Sequence, residues 1–481
     1  MKALQVERSL PRFAAARVAS SWKAGAGARV GPLRLVDTAP PALPGPGWQL
    51  ISPRLSGICG SDLATVDGRS SRWFEPIVSF PFTLGHEVVA DTADGRRVVI
   101  EPVLGCQARG IDPACRPCTE GRRRHCENLT GGHIAPGLQT GYCRDTGGGW
   151  SLAFAAHASQ LHDVPDDLPD EAAVLVEPAA CAVHAALSSL PAGLHPSDEP
   201  VAVVIGAGTL GLCTVAALSR WREDLTRVIA VAKYPHQRDF AQKLGATSVA
   251  APGELLRAVR RATGSWILGT GQLSGGAPLV IDCAGTAESL ASALAVVAPG
   301  GQVVLAGMPS PSHADLTPLW QREVTLVGSY TYGPEPAAGG RHSFDLAFEL
   351  VEACRLERLL SATYPLERAA EAIEHAAAAG RRGAVKVAFD MRGEPRRLSV
   401  LSGGTTGGTA SLATGAGPAP AAAKPPVGGA PGPALAGTRP SGGAVPAEGN
   451  PVGKLAEGAS HATAEGSSLG KAEGTSLGKG A

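Results

Sequence analysis

The stretch VAVVIGAGTLGLCTVAAL, residues 201–218, decides the fold class of this 481-residue chain. It opens with an apolar run that predicts a buried strand, and the segment Thr209–Trp221 predicts a helix. The turn between them has the spacing G-x-G-x-x-G and consists of Gly206, Ala207, Gly208, Thr209, Leu210 and Gly211. Glycines at this spacing permit a tight turn, a close approach of backbone to a pyrophosphate, and close packing of helix on strand. The stretch therefore predicts a dinucleotide-binding unit. The alternative is a tight turn without a ligand.

The alternation of strand and helix continues after this motif. Apolar runs at 228–233, 279–285 and 301–307 predict further strands, and His236–Leu244 predicts a helix. Short apolar strands that alternate with helices indicate a doubly wound parallel sheet that is covered on both faces. Residues 1–60 give weak strand signals with an Ala/Gly/Arg-rich interruption around Phe13–Gly31, and residues 84–103 read as two strands joined by a turn. We therefore predict an α/β fold with a mostly β region before the parallel sheet.

The end of the second predicted strand favours one of the two nicotinamide cofactors. Sites for NAD place an acidic residue about 20 residues after the glycine motif, where it holds the ribose 2′-hydroxyl. This chain has Lys233 at that place, and Arg238 follows in the first turn of the next predicted helix. Cationic side chains there would attract a 2′-phosphate. We expect NADP rather than NAD, unless Lys233 is only a solvated residue and the protein uses either cofactor.

Potential zinc ligands occur in three separate segments, which read SGICGSD at 56–62, LGHE at 84–87 and LVEPAA at 175–180. The last of these lies in an alanine-rich segment, Glu171–Leu190, that predicts a helix. The candidate ligands are Cys59, His86, Glu87 and Glu177. Thiolate, imidazole and carboxylate that converge from distant loops are typical of a catalytic zinc with room for a substrate oxygen. Taken singly, Cys59 could be a small buried apolar residue, and the Gly-His-Glu sequence a turn before a strand.

A second cluster lies between residues 104 and 128. Its four cysteines are Cys106, Cys115, Cys118 and Cys126. Four cysteines this close together in an intracellular chain suit a closed tetrahedral zinc site that has a structural role. We expect the adjacent arginines, Arg116 and Arg122–Arg124, to help keep the thiolates ionised. The alternative is an incidental run of free thiols.

The overall charge excludes several classes of partner. Lys+Arg and Asp+Glu both number 43, so the formal net charge is +0 at pH 7. This balance argues against a concentrated basic surface for nucleic acid and against a polybasic membrane anchor. Charged residues break up the apolar character of the first residues, so no secretory signal is predicted. We expect a cytoplasmic protein with a small-molecule partner, no nucleic-acid partner and no membrane partner.

The C-terminal part has a different composition. From Leu401 to Ala481 the chain contains 20 Gly, 9 Pro and no Phe, Trp or Tyr. Such a segment cannot bury enough apolar surface to offset the entropy lost on ordering. We predict a disordered Gly/Ala/Pro-rich tail over residues 393–481.

Together these motifs resemble the zinc-dependent medium-chain dehydrogenase/reductase superfamily (the alcohol dehydrogenase superfamily), on its threonine, sorbitol and glucose dehydrogenase-like branch. The matching elements in chain order are GICGSD, GHE, the four-cysteine lobe, VEPAACAVHA and VVIGAGTLG. The resemblance implies a GroES-like β catalytic domain and a Rossmann NAD(P)-binding domain with the active site in the cleft between them. The implied bounds are 1–182 for the catalytic domain with its structural zinc lobe at 104–128, 183–323 for the Rossmann domain, and 324–392 for the return to the catalytic domain.

The resemblance also implies roles for single residues. The catalytic zinc ligands would be Cys59, His86, Glu87 and Glu177, with one glutamate exchangeable with water. Asp62 would fix the tautomer of His86, and Ser61 occupies the place of the relay hydroxyl. Gly285 and Lys386 would join the cofactor site, Lys386 by reaching the cofactor phosphates.

The implied activity is reversible oxidation of a secondary alcohol, or of a polyol or sugar-like hydroxyl, with NAD(P) and two zinc ions per chain. The alternative is a zinc-bearing, NADPH-dependent reductase of a carbonyl or other electrophile in a specialised pathway. Relatives form homodimers or homotetramers, and we expect one of these here. Many relatives carry a proton-shuttling histidine where this chain has Ala64, so the proton route beyond Ser61 is open.

Overall fold

The computed structural model describes residues 1–189, 200–269, 271–311 and 313–393. Its strands are β1 (Lys2–Val6), β2 (Leu33–Asp37), β3 (Trp48–Gly57), β4 (Phe82–Thr83), β5 (Val88–Thr92), β6 (Arg97–Ile100), β7 (Phe154–His157), β8 (Leu161–Asp163), β9 (Val201–Ile205), β10 (Arg227–Val231), β11 (Ser248–Ala250), β12 (Ile267–Leu268), β13 (Gln272–Leu273), β14 (Ala277–Asp282), β15 (Val297–Leu305), β16 (Thr325–Gly328), β17 (Pro334–Glu335), β18 (Arg341–His342), β19 (Leu360–Tyr364) and β20 (Lys386–Asp390). Its α-helices are α1 (Leu10–Trp22), α2 (Gly27–Val30), α3 (Gly60–Val66), α4 (Arg116–Thr119), α5 (Asp170–Ala173), α6 (Val176–Leu187), α7 (Thr209–Trp221), α8 (Pro235–Lys243), α9 (Leu255–Thr263), α10 (Ala287–Val296), α11 (Thr317–Gln321), α12 (Ser343–Ala353) and α13 (Ala369–Ala377).

The glycine motif directly follows β9, an interior strand of a six-stranded parallel sheet. The strand order is β11-β10-β9-β14-β15-β16, which is 3-2-1-4-5-6 when the strands of this sheet are counted alone. This is the Rossmann order, and it reverses between β9 and β14. The parallel pairing aligns Val203 of β9 with Ile229 of β10 and Val280 of β14. The predicted doubly wound sheet is therefore confirmed, and its ligand crevice falls where the glycine motif follows β9.

A seven-stranded mixed sheet forms the other large layer. Its order is β19-β20-β3-β5-β6-β8, with β7 also paired to β3. The C-terminal strand β20 returns to pair with β3, with Phe389 opposite Ser56. This pairing brings Lys386, at the start of β20, close to the loop that follows β3. The chain thus returns to the N-terminal region after the parallel sheet, whose last strand in chain order, β16, ends at Gly328.

Two local expectations differ from the structure. The Ala/Gly/Arg-rich segment between β1 and β2, which we read as an interruption between strands, forms the helices α1 and α2. Alanine has the highest helix propensity, and this outweighs the weak apolar pattern of the segment. The single helix predicted from Glu171 is divided into α5 and α6, with Leu190 outside the described residues.

The inserted helices are anchored by a buried carboxylate. Asp67, at the end of α3, accepts hydrogen bonds from the N–H groups of Gly25 (2.9 Å) and Gly27 (3.1 Å). A Cβ on Gly27 would lie 2.1 Å from the carbonyl oxygen of Val66, so glycine is required for this approach. The contact fixes the insertion against the same helix whose first turn carries Ser61.

Asp67→Ala is expected to lower the free energy of unfolding by about 2–4 kcal/mol, because it leaves two buried N–H groups without an acceptor. Urea unfolding followed by circular dichroism measures this change. Asp167→Ala, at an exposed aspartate, is the control, and we expect an effect within about 0.5 kcal/mol. Equal unfolding midpoints for the two variants would contradict the anchoring role.

None of the described helices combines the length and the apolar character needed to cross a bilayer. The predicted tail at 393–481 lies, from residue 394 onward, outside the described residues.

Candidate active site and metal centres

Cys59 lies at the N-cap of α3, directly after the loop that leaves β3. The side chain of Asp62 closes this first turn, because its Oδ2 accepts the backbone N–H of Cys59 at 2.9 Å. Asp62 is completely buried, whereas Cys59 and Ser61 remain partly exposed. The helix start therefore holds a buried carboxylate on the inside, while the thiol of Cys59 and the hydroxyl of Ser61 stay partly exposed.

His86 faces this helix start from the loop before β5. Its Nδ1 lies 3.4 Å from Asp62 Oδ1, within ion-pair distance. Gly85 precedes it with φ +98°, and a Cβ there would lie 2.4 Å from the Trp150 side chain. Burial lowers the pKa of His86, but Asp62 and Cys59 raise it, and the net direction is well upward. The imidazole thus sits among negative groups, an environment that also favours a cation.

Glu87 and Lys386 form a buried ion pair beside this site. The ammonium of Lys386 contacts Glu87 Oε2 and donates to the carbonyl oxygen of Ile58 at 3.2 Å. Both side chains are 2% exposed. A Cβ on Gly57 would lie 2.1 Å from Glu87 Oε2, so this glycine makes room for the pair. In the structure Lys386 therefore contacts Glu87. The expected contact of Lys386 with cofactor phosphates stays a prediction, and it would require Lys386 to leave Glu87.

Glu177 enters the site from the first turn of α6. Burial raises the pKa of Glu177 to about 7; Glu87 raises it as well, whereas His86 and Lys386 lower it. One turn later on the same helix, Cys181 Sγ lies 3.7 Å from Glu177 Oε1. A bound cation would favour the ionised form of this buried carboxylate.

The donor set fits a zinc ion by its chemistry more fully than by its spacing. A thiol, an imidazole and carboxylates are the ligands that zinc prefers. All four predicted ligands are described, yet no three of them bring their donor atoms within 4.8 Å of one another. Glu87 is paired with Lys386 instead. The role of these residues as ligands stays a prediction.

The four cysteines of the second cluster converge closely. The donor atoms of Cys106, Cys115, Cys118 and Cys126 all lie within 4.8 Å of one another. Cys106 Sγ is 3.5 Å from Cys115 Sγ and 3.7 Å from Cys126 Sγ. A tetrahedral zinc site with Zn–S bonds of about 2.3 Å requires sulfurs about 3.8 Å apart. The geometry of this lobe therefore fits a structural zinc ion.

The adjacent arginines do not serve these thiolates as we expected. Arg116 pairs with Glu120 at 2.8 Å, and Arg124 donates to the carbonyl oxygen of Tyr332 at 3.2 Å. The sulfurs are held instead by N–H donors, among them Asn128 Nδ2, which is 3.3 Å from Cys106 Sγ. Burial raises the pKa of Cys106, but this bond and those from neighbouring cysteines lower it to about 7. The expectation for the arginines is wrong because nearby acceptors compete for their guanidinium groups.

The glycine motif has the form of an open cradle. Gly206 has φ +96°, and a Cβ on Gly211 would lie 1.7 Å from the carbonyl oxygen of Gly206. Gly208 caps α7, and the space that its Cβ would take is empty. Gly285, with φ +67°, follows the neighbouring strand β14. Thr209 and Leu210 form the first turn of α7, whose free N–H groups and positive dipole end suit a pyrophosphate.

A buried aspartate shapes the turn that follows β14, and the sequence analysis did not single it out. Asp282 accepts the N–H groups of Ala284 at 2.9 Å and Gly285 at 3.1 Å, and the hydroxyl of Ser289 at 2.8 Å. A charged residue in the middle of the apolar run 279–285 was the available signal.

The two cations at the end of β10 lie together. The Lys233 side chain is exposed, and its Nζ lies 5.8 Å from the ring centroid of Tyr234. Arg238 folds back onto the same loop, with its Nε 3.1 Å from the carbonyl oxygen of Ala232. This arrangement leaves the side chain of Lys233 exposed at the end of β10.

A further group of possible metal ligands consists of Glu101, His162 and His342. Glu101 Oε2 is 3.1 Å from His162 Nε2 and 3.8 Å from His342 Nε2. The guanidinium of Arg123 lies 3.4 Å from the same oxygen and already supplies positive charge. His342 Nδ1 accepts the N–H of Phe344, which leaves the ring proton on Nε2. We therefore assign this group to an ion-pair network between the cysteine lobe and α12.

Tyr142 and Tyr330 also face the site, and sequence reasoning missed both. The ring centroid of Tyr142 lies 6.1 Å from that of His86. Tyr330 is 43% exposed, and burial of its hydroxyl, together with Cys181, raises its pKa. Tyrosines are rare in this chain, with 5 in all, so the run Tyr330-Thr331-Tyr332 was the available signal.

Two family models match the chain. Residues 45–166 match the alcohol dehydrogenase GroES-like domain, and residues 209–353 match the zinc-binding dehydrogenase domain. Together the matches cover more than half of the chain. The first match contains Cys59, His86 and the cysteine lobe, and the second begins inside the glycine motif.

Curated relatives and solved structures give further similarities. D-xylulose reductase A of Aspergillus niger is 26% identical over 358 residues, which cover 71% of this chain and 90% of the relative. The Aspergillus oryzae enzyme of the same name is 28% identical over 298 residues, covering 59% and 75% of the two chains. A candidate zinc-binding dehydrogenase from Sinorhizobium meliloti 1021, bound to NADP, has a TM-score of 0.55 and 26% identity over 74% of this chain and 95% of its own. Galactitol-1-phosphate dehydrogenase from Escherichia coli, at 20% identity and a TM-score of 0.57 over 81% and 100% of the chains, shares the fold.

Proposed function

This chain belongs to the zinc-dependent medium-chain dehydrogenase/reductase family, and from that premise we propose that it reversibly oxidises a secondary alcohol of a polyol or sugar-like substrate with NADP as its preferred cofactor. The matched relatives named as D-xylulose reductases favour this activity over that of a reductase in a specialised pathway. The geometry that supports it is the packing of α6, which carries Glu177, against α7, which begins in the glycine motif.

The observation that carries the proposal is the contact between α6 and α7. Glu177 lies in the first turn of α6, and α7 begins at the glycine motif. The two helices pack together and share one buried apolar cluster. Cys213 lies one turn into α7. Burial and the charge of Glu87 raise the pKa of its thiol, whereas the charge of Lys386 lowers it. A metal held by Glu177 would therefore lie close to the cofactor loop, as hydride transfer requires.

We assign the catalytic zinc to Cys59, His86 and Glu177, and Glu87 becomes a fourth ligand only by leaving Lys386. When bound, zinc lowers the pKa of a substrate hydroxyl and the nicotinamide exchanges hydride with the carbinol carbon. Asp62 fixes the orientation of His86. Ser61, partly exposed in the first turn of α3, takes the hydroxyl proton. The four-cysteine lobe holds the second zinc ion.

A substrate panel tests this function. The full-length, zinc-loaded protein is assayed with xylitol, sorbitol, galactitol, 2,3-butanediol and ethanol, each with NADP⁺ and NAD⁺. We expect kcat/KM for a polyol to exceed that for ethanol by at least about tenfold, since each extra hydrogen-bonded hydroxyl can contribute more than 1 kcal/mol. A folded, zinc-loaded protein that oxidises no polyol but reduces other electrophiles with NADPH would favour the alternative.

Lys233→Asp is expected to reverse the cofactor preference, with an overall change of about 100-fold in the ratio of kcat/KM values for NADP⁺ and NAD⁺. The substitution removes a charge-assisted contact to the 2′-phosphate and introduces the carboxylate that holds a ribose 2′-hydroxyl. Lys243→Asp, at an exposed lysine at the end of α8, is the matched control and should leave the ratio unchanged. An unaltered ratio in Lys233→Asp would contradict the NADP assignment.

Assembly and domain limits are part of the proposal. We propose a homodimer or homotetramer in the cytoplasm that pairs through β16, one of the two edge strands of the described parallel sheet, with the exposed Trp320 shortly before it in sequence. Light scattering after size-exclusion chromatography distinguishes these states from a monomer.

We place the catalytic region at about 1–182 and 329–392, and the Rossmann region between them.

A further inference from the structure

The hydroxyl groups around α3 form a chain that leads away from Ser61. Thr65 lies one turn after Ser61, and its Oγ1 donates to the carbonyl oxygen of Ser61 at 3.0 Å. The same Oγ1 lies 3.5 Å from the hydroxyl of Tyr142 and 3.0 Å from Oγ of Ser70. Thr65 is buried, whereas Ser70 is partly exposed. Three hydroxyl groups thus connect the interior of the site with solvent.

Tyr142 closes the gap between Ser61 and this chain. Its hydroxyl donates to Asp62 Oδ1 at 3.5 Å, in the helix turn that also carries Ser61. Burial and Asp62 raise the pKa of this hydroxyl, whereas a contact with Ser61 lowers it. The ring packs beside Phe82, with centroids 5.3 Å apart, and beside His86. These contacts hold the hydroxyl above the first turn of α3, between the group that meets substrate and the buried Thr65.

We propose that Tyr142, Thr65 and Ser70 form the proton relay that takes over from Ser61 in this chain, in place of a histidine. This inference rests on the proposed alcohol oxidation. Residue 64 is a buried alanine and offers no group that exchanges protons. Each member of the relay is a hydroxyl that can accept one proton while it donates another.

The relay balances the reaction in the direction of oxidation. A bound oxidised nicotinamide would accept the hydride of the carbinol carbon, and the hydroxyl proton would pass to Ser61 as Ser61 donates its own proton to Tyr142. Tyr142 in turn donates to Thr65, whose O–H turns from the Ser61 carbonyl toward Ser70. Ser70 releases one proton to water or to a buffer base. Each hydroxyl therefore ends with the same charge, and one proton reaches solvent for each hydride transferred.

Proton release in a single turnover tests the relay. Alcohol oxidation is followed at once by cofactor absorbance and by a pH indicator in weak buffer, for the wild type, Tyr142→Phe and Ser70→Ala. We expect proton release to slow by at least about tenfold in Tyr142→Phe, with little change in KM. Added imidazole, a small external base, should restore much of the rate, which a purely structural defect would not permit.

Tyr364→Phe is the matched control, because the Tyr364 hydroxyl is hydrogen-bonded to a different partner, His375 Nδ1, at 2.8 Å. Proton release at the wild-type rate in both Tyr142→Phe and Ser70→Ala would overturn the relay. If Tyr142→Phe does not fold, the proton-release rate of Ser70→Ala alone tests the relay. The Ser70 side chain is partly exposed, so we expect this variant to fold. A wild-type protein that oxidises no alcohol would instead refute the proposed function, so the two failures are distinguishable.

Discussion

Cys59→Ala is expected to lower kcat/KM for alcohol oxidation by at least about a thousandfold, which corresponds to about 4 kcal/mol of transition-state stabilisation. The variant removes the thiolate that, on our assignment, binds the catalytic zinc together with His86 and Glu177. Without the metal, the substrate hydroxyl keeps a high pKa and loses its proton poorly. The thiol is partly exposed at a helix N-cap, so its loss should shift the melting temperature very little.

Steady-state kinetics and elemental analysis of the same samples measure this effect. We expect zinc content to fall by about one ion per chain relative to the wild type. Cys354→Ala is the control, because Cys354 is also a partly buried free cysteine but lies at the end of α12. Normal activity in a folded, zinc-depleted Cys59→Ala protein would reject the assignment.

Cys126→Ser is expected to destabilise the protein strongly while leaving the catalytic metal in place. A structural zinc ion contributes several kcal/mol to folding because its site forms only in the folded chain. For a domain of roughly 250 residues, a loss of about 3–4 kcal/mol in the free energy of unfolding lowers the melting temperature by at least about 5 °C. Zinc should again fall by about one ion per chain, but the kcat of the remaining folded protein should stay within a few fold of the wild type.

Cys143→Ser separates this effect from that of simply changing a buried cysteine. Cys143 is as buried as Cys126 but lies outside the group of four, so its zinc content should equal that of the wild type. Equal zinc content and equal melting temperature in Cys126→Ser and the wild type would show that the lobe holds no structural metal.

The fold of the nucleotide-binding region was largely predictable from sequence. The strand at Val201–Ile205 is apolar at every position, and the motif that follows it has few structural solutions. The helix Thr209–Trp221 has the predicted bounds. The insertion between β1 and β2 was not predictable in the same way, because Asp67 fixes its position from a distant point in the sequence.

The candidate site was predictable in its composition but not in its contacts. Sequence placed Glu87 next to His86, yet the partner of Glu87 is Lys386, which lies 299 positions later in the chain and is brought near by the pairing of β20 with β3. Tyr142 belongs to a loop with no recognisable motif, so its position over Asp62 could not be inferred. Such contacts depend on tertiary packing, and local sequence patterns carry little information about it.

Anomalous diffraction at the zinc edge, from crystals of the full-length protein with NADP⁺, is the most direct test of the central claim. We predict two peaks per chain, one among the four cysteines of the lobe and one among Cys59, His86 and Glu177, with the nicotinamide beside the second. A peak at the lobe alone, or a second peak remote from Cys59 and from the cofactor, would contradict the account.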